Sequence, residues 1–168
     1  MARIEIVVAD ITGEAVDAIV TAANESLLGG GGVDGAVHRA AGPQLAEAGA
    51  ALAPLDPGDA VATPAFDLQP SVRHVIHTVG PVWEGGDQGE AEVLASCYRR
   101  SLEEADRIGA RTVAFPAIAT GVYGFPVEEA AGIAVRTIKD TPTAVETIRL
   151  VAYDAEAGEI LQAALSAS

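Results

Sequence analysis

Apolar and polar residues alternate at the start of the chain, where Ile4, Ile6 and Val8 are interleaved with Glu5 and Val7, and a period of two predicts a strand over 4–8. A more continuously apolar run predicts a second strand over 16–22, with Asp10-Ile11-Thr12-Gly13 as punctuation between the two. From 34 to 50 the spacing becomes helical, broken at Gly42-Pro43, where the proline suits the first turn of a second helix. Asp56-Pro57-Gly58-Asp59 reads as a turn. Further strands are expected over 60–65 and 72–79, the latter closed by Gly80-Pro81 and followed by a polar, glycine-rich loop over 83–88. The longest helix is expected over 90–108: Leu94, Cys97, Tyr98, Ser101, Leu102, Ala105 and Ile108 share one side, and Gly109 suits a C-terminal cap. A buried strand over 112–116, a connecting segment 117–126, a helix over 127–139, a strand over 147–152 and a terminal helix complete the pattern. Strands alternating with helices, several of them apolar on both faces, predict an α/β fold in which a sheet lies between helical layers.

Composition narrows this picture. A chain of 168 residues, 49% hydrophobic and 4% aromatic, fits one compact domain over 1–168 with a sizeable core, and contains no internal repeat, linker or low-complexity tail. The formal charge of −14 means that a phosphate-bearing ligand must be held by local backbone dipoles and a few side chains. It also makes non-specific nucleic-acid binding unfavourable. The single cysteine, Cys97, allows no disulfide framework, reads as a small buried apolar residue, and suits a reducing cytoplasm. Met1-Ala2-Arg3 leads directly into a strand pattern, and no apolar run approaches the ~20 residues of a membrane span. Neither an export signal nor a membrane partner is expected.

Chemistry concentrates in residues 24–42, N-E-S-L-L-G-G-G-G-V-D-G-A-V-H-R-A-A-G. Gly29, Gly30, Gly31 and Gly32 lack Cβ atoms, so their N–H groups can approach an anion closely, and the helix that follows favours negative charge at its start. Flexible filler is the plainer alternative, but filler seldom joins an apolar strand to a helix that opens with Asp34 and His38 one turn apart. A second glycine-containing loop, Thr120-Gly121-Val122-Tyr123-Gly124, also stands where a strand hands over to a helix. Two such loops suggest a clamp for a diphosphate. The common phosphate motifs G-x-x-x-x-G-K-[ST] and G-x-G-x-x-G in the first strand-helix unit are missing.

Position alone leaves two roles open for Asp34: a carboxylate that positions water near a bound phosphate, or an N-cap. Asn24, at the end of the second strand, has donor and acceptor groups suited to vicinal sugar hydroxyls, or serves as a turn residue. His38, four residues after Asp34, can orient it or simply pack. His74 and His77 are an odd number of residues apart on a strand, so they point to opposite faces and cannot share a metal. Lys139 is the one lysine and sits late in a helix, which leaves little room for imine chemistry. Tyr153, after the last strand, suits stacking on a purine or core packing.

Taken in order, these residues resemble a macrodomain of the MacroD type. The family pattern is G-D-I-T, N-A-A-N, G-G-G-G-V-D-G-x-x-H-R-A-A-G, V-I-H-T-V-G-P and A-F-P-x-I-x-T-G-V-Y-G. This chain has Ala9-Asp10-Ile11-Thr12, Thr21-Ala22-Ala23-Asn24, the whole 29–42 stretch, 75–81 and 114–124, with Tyr153-Asp154 after the last strand. The resemblance spans nearly the whole chain. It implies a three-layer α/β/α fold with a mixed, mostly parallel six-stranded sheet. It further implies binding of ADP-ribose and removal of ADP-ribose from acidic side chains of mono-ADP-ribosylated proteins, or deacetylation of O-acetyl-ADP-ribose. Carried over by position, Asp10 and Ile11 contact adenine and Tyr153 covers its face. Thr120, Gly121, Val122, Tyr123 and Gly124 wrap the diphosphate, while Gly31, Gly32 and Val33 close over the phosphate and distal ribose. Asn24 holds that ribose and Asp34 positions the attacking water, with His38 a secondary catalytic candidate on its spacing from Asp34. No metal or other cofactor is required.

Three positions depart from the pattern. Ala9 replaces a glycine, with little expected effect; Ala119 replaces a common serine and removes one phosphate donor. Thr21 replaces the first asparagine of N-A-A-N, and a β-branched hydroxyl lacks the two-ended hydrogen bonding of an amide. A looser loop around Asp34, slower turnover or altered substrate choice is the expectation. The competing functional class is a reader that binds ADP-ribose without turning it over; a surface that binds RNA or protein is a third, opposed for RNA by the charge.

Overall fold

The computed structural model describes residues 2–168. Its strands are β1 (Arg3–Val8), β2 (Val16–Ala23), β3 (Ala60–Pro64), β4 (Val72–Val79), β5 (Thr112–Phe115) and β6 (Thr147–Ala152). Its helices are α1 (Gly32–Ala41), α2 (Gln44–Leu52), α3 (Glu90–Arg107), α4 (Val127–Asp140) and α5 (Ala155–Ala167). The strands form one sheet in the order β1-β6-β5-β2-β4-β3. Every neighbouring pair is parallel except β3 with β4. The sheet is therefore mixed and mostly parallel, as the family resemblance implies.

Continuous apolar runs behave as a sheet covered on both faces requires. In β2, Ala18, Ile19 and Val20 are all fully buried, with alternate residues going to opposite layers. Ala18 and Val20 join Val113, Phe115, Ile148 and Leu150 on the face packed by α3, α4 and α5. Ile19 joins Val16, Val72, Val75 and Ala114 on the other face, beneath Val37 and Ala41 of α1 and Leu45 of α2. The apolar stripe of α3 is inward as expected, and Gly109 closes it at φ 73°, its N–H donating to the Asp106 carbonyl. Two short 3₁₀ turns, Ile11–Gly13 and Phe66–Leu68, lie below the resolution of a periodicity argument.

The parallel arrangement brings the C-terminal ends of β1, β6, β5, β2 and β4 to one edge. The helices after the adjacent strands β5 and β2 leave in opposite directions: α4 packs on one face and α1 on the other. Such a divergence opens a crevice above the strand ends, where ligands of open α/β sheets bind. Among the described residues no helix is long and apolar enough to cross a membrane.

Candidate functional site

Strand order sets the layout of the crevice. Along the edge come the Asp10 turn after β1, Tyr153 after β6, the 116–126 loop after β5, the 24–31 loop after β2, and the 80–89 loop after β4. The backbone N–H of Ala9 donates to the Ala152 carbonyl at 2.9 Å, which ties the first two together. Sequence-predicted ligand residues far apart in the chain thus form a row.

The glycine loop is held from both ends. Leu27 adopts φ 58° with its side chain fully buried among Ala23, Leu55 and Val79; a left-handed leucine persists only where its surroundings over-determine it. Asn24 turns its amide onto the loop, Nδ2 donating to the Gly29 carbonyl at 3.0 Å and Oδ1 accepting from Ser26 Oγ at 2.7 Å. Gly29 has φ 98°, and a Cβ there would stand 3.2 Å from the His38 ring. The loop ends at Gly31, the N-cap of α1, which makes no side-chain capping bond. First-turn N–H groups at Gly32, Val33 and Asp34 are consequently left without a side-chain acceptor, beside exposed Gly30, Gly31 and Gly32.

Asp34 is the third residue of α1, which corrects the N-cap alternative: Gly31 occupies that place. Its side chain turns inward and is 4% exposed. Oδ1 accepts from Thr21 Oγ1 at 2.9 Å and lies 3.6 Å from His38 Nε2. Asp34 Oδ2 and His38 Nε2 are buried without a hydrogen-bond partner. His77, paired with Thr21 across β2 and β4, lies behind them; its Nε2 is 2.9 Å from Thr63 Oγ1 and its ring is edge-on to His38 with centroids 6.5 Å apart. Burial pushes the Asp34 carboxyl above the usual carboxylate range, partly opposed by the Thr21 hydrogen bond and the charge of His38. Burial, with a smaller contribution from His38, lowers His77 to about 4. A carboxylate with one oxygen anchored and the other unpartnered, beside an imidazole, has the elements of a water-positioning base.

The Thr21 hydroxyl donates to the carboxylate of Asp34, because β2 brings the threonine beneath the first turn of α1.

The 116–126 loop is built differently. Ala119 takes φ 68° while buried, and its carbonyl accepts from the Phe125 N–H at 2.9 Å. The Gly124 N–H closes a turn onto the Gly121 carbonyl at 3.0 Å, leaving Val122 99% exposed at the tip. Thr120 Oγ1 is 3.5 Å from the Ala117 carbonyl, at the limit of a hydrogen bond. Tyr123 is half-buried and packs on the core. Its carbonyl accepts from the Trp83 N–H at 2.8 Å, and Trp83 packs on Phe125 at 4.7 Å between centroids. Glu90 orders this neighbour: its buried carboxylate accepts from the N–H groups of Glu84, Gly86 and Gln88 at 2.8, 2.9 and 2.6 Å. Those bonds, that of Glu84 foremost, hold Glu90 at about 2.

At the far end, Asp10 caps the turn after β1, accepting from the Thr12 N–H and hydroxyl at 2.9 and 2.7 Å. The Thr12 hydroxyl, with the N–H in support, holds the carboxyl below its usual range. Ile11 is buried in the core with Ile19 and Val37, so its side chain is directed away from the crevice surface and only its backbone remains for contact. Tyr153 is 84% exposed and available for stacking. Among the described residues no group of three or more His, Cys, Asp or Glu side chains is arranged to hold a metal.

Comparison with known proteins fits this crevice. The Macro domain family matches residues 20–134, which include both loops and Asp34. The chain belongs to the macrodomain family. This macrodomain is 53% identical to a macro domain-containing protein of Methanosarcina mazei, the match covering 98% of this chain and 88% of the relative. It is 52% identical to the O-acetyl-ADP-ribose deacetylase of Klebsiella pneumoniae, covering 96% of this chain and 95% of that one. Among solved structures, an Oceanobacillus iheyensis macrodomain variant with ADPR superposes with a TM-score of 0.90 at 41% identity, covering 98% of this chain and 92% of that one.

Two residues of the macrodomain crevice carry no readable signal in the sequence. Glu90 looks like any acidic first-turn residue of a helix; only the backward turn of the 84–88 loop shows that it organises the loop. His77 is placed on a strand by parity, but its approach to His38 depends on β2 and β4 being neighbours.

Proposed function

We propose that this macrodomain binds ADP-ribose along the strand-end crevice and hydrolyses esters of it: ADP-ribose linked to acidic residues of proteins, O-acetyl-ADP-ribose, or both. The observation that carries the reading is Asp34, a buried carboxylate at the start of the glycine-loop helix with one oxygen anchored by Thr21 and the other unpartnered. Family membership and relatives associated by name with ADPR and with O-acetyl-ADP-ribose support it. In this reading adenine lies by Asp10 and Tyr153. The diphosphate lies between the first-turn N–H groups of α1 and the loop from Thr120 to Gly124, and the distal ribose sits near Asn24. A water held between Asp34 and a substrate phosphate oxygen attacks the ester, giving ADP-ribose and a carboxylic acid. His38 supports the orientation of Asp34.

A second reading, binding without turnover, draws on Asn24, whose amide is already engaged with Gly29 and Ser26. The deciding experiment follows release of ADP-ribose from a protein mono-ADP-ribosylated on acidic residues, and of acetate from O-acetyl-ADP-ribose, for wild type and Asp34→Ala. Release by wild type that collapses in the variant is expected for the hydrolase. ADP-ribose binding with no release from either substrate would make the protein a reader.

A further inference from the structure

The bond from Thr21 to Asp34 carries more than the substitution's history. Thr21 is fully buried in the middle of the sheet, so no solvent molecule competes for its hydroxyl, and its single donor is spent on Asp34 Oδ1 at 2.9 Å. A β-branched side chain in a strand has few χ1 choices, so the donor is fixed in space by β2 itself. Among the described residues no other hydrogen bond reaches the Asp34 side chain, and Oδ2 has no partner. We propose that Thr21 is the positioning residue of the site: its hydroxyl locks Asp34 in one orientation, with Oδ1 anchored and Oδ2 left to engage water.

The same bond acts on the charge of Asp34. Burial favours the neutral acid, and the Thr21 hydroxyl is the foremost influence opposing it, ahead of His38. The surrounding groups are few. His38 faces Asp34 from α1, His77 stands behind His38 on β4, and β2 and the glycine loop contribute Thr21 and Gly29 to Gly31, which do not titrate. Removing the hydroxyl therefore leaves a buried carboxylate that protonates at higher pH, and a base that is lost at higher pH.

The inference rests on the hydrolase reading for its effect on turnover but not for its effect on Asp34. The test compares Thr21→Val, which keeps the shape and deletes the hydroxyl, with Thr21→Ser, which keeps the hydroxyl. Carbon-13 NMR of the Asp34 carboxyl in the ligand-free protein is followed across pH, together with kcat and KM for ADP-ribose release. Thr21→Val is expected to titrate at higher pH than wild type, to move the acid limb of kcat the same way, and to lower kcat about tenfold with KM within about twofold. Thr21→Ser should match wild type. An unchanged carboxyl titration in Thr21→Val would overturn the inference, as would kcat and KM worsening together with no shift of the acid limb. If wild type itself releases nothing, the hydrolase reading fails alone, and the carboxyl titration still decides the role of Thr21.

Discussion

The glycine loop after β2, anchored by Leu27, lies over a polar cluster of Thr21, Asp34, His38, His77 and Thr63, whereas the loop after β5 rests on Ile118, Phe125, Trp83 and Tyr98. Both loops contain a strained left-handed residue, Leu27 in one and Ala119 in the other, and both expose glycines to the same crevice. Their foundations suit different work. A mainly apolar bed, with the Tyr98 hydroxyl as its polar atom, holds a surface still. A bed of half-satisfied polar atoms costs stability and persists where the groups have chemistry to do. In the proposed reading the second loop chiefly holds the ligand, and the first both holds it and acts on it.

The largest effect expected from this contrast is on acid stability. His77 is held to about 4 mainly by burial, so the unfolded chain, whose histidines titrate near 6.5, takes up the proton first. The stabilisation is complete above about pH 6.5 and is lost as pH falls toward 4, a change of about 3 kcal/mol from the shift. Urea unfolding at pH 7 and pH 4 should show His77→Gln lacking that share of the slope, while Phe125→Leu, in the other bed, keeps it. Equal slopes for His77→Gln and wild type would contradict the account of the polar bed.

Next comes packing. A Cβ on Gly35 would stand 2.4 Å from the Gly30 carbonyl oxygen, so Gly35→Ala must displace the glycine loop. An overpacking cost of about 1–3 kcal/mol is expected, with a loss of turnover well beyond tenfold. Thermal melts and release assays of the variant check both.

A smaller effect sharpens the second loop. Glu90→Gln replaces an acceptor of three N–H bonds with a side chain that carries its own donor, releasing the 84–88 loop and, through the Trp83 to Tyr123 bond, the turn beside it. ADP-ribose affinity, measured by calorimetry, should fall severalfold while kcat changes little. Because the carboxyl is held at about 2, its contribution is complete above the ordinary carboxylate range and is lost as pH falls from there through about 2. Acid acts on the first loop long before the second.

Much of the fold was legible in the chain. The strand over Thr147–Ala152 and the apolar side of α3 follow from local periodicity, and the glycine run marked the entry to α1. What the chain concealed depends on long-range pairing. The bond from Thr21 to Asp34 joins residues 13 apart on two elements, and the approach of His77 to His38 joins a strand to the helix above the sheet. The N-cap question at Asp34 turned on the extended backbone of Gly31, which composition does not reveal. The burial of the Ile11 side chain reflects the 3₁₀ turn that rotates it inward.

The most direct test of the divided roles pairs Asp34→Ala with Gly121→Ala and measures kcat and ADP-ribose affinity for each. A Cβ on Gly121 meets nothing within 4 Å, so that variant is expected to keep its fold and to alter only the surface that the proposed reading gives to the diphosphate. The account predicts that Asp34→Ala loses turnover about a hundredfold or more with affinity within a few-fold, and that Gly121→Ala loses affinity with kcat nearly unchanged. Parallel losses of turnover and affinity in both variants would contradict it.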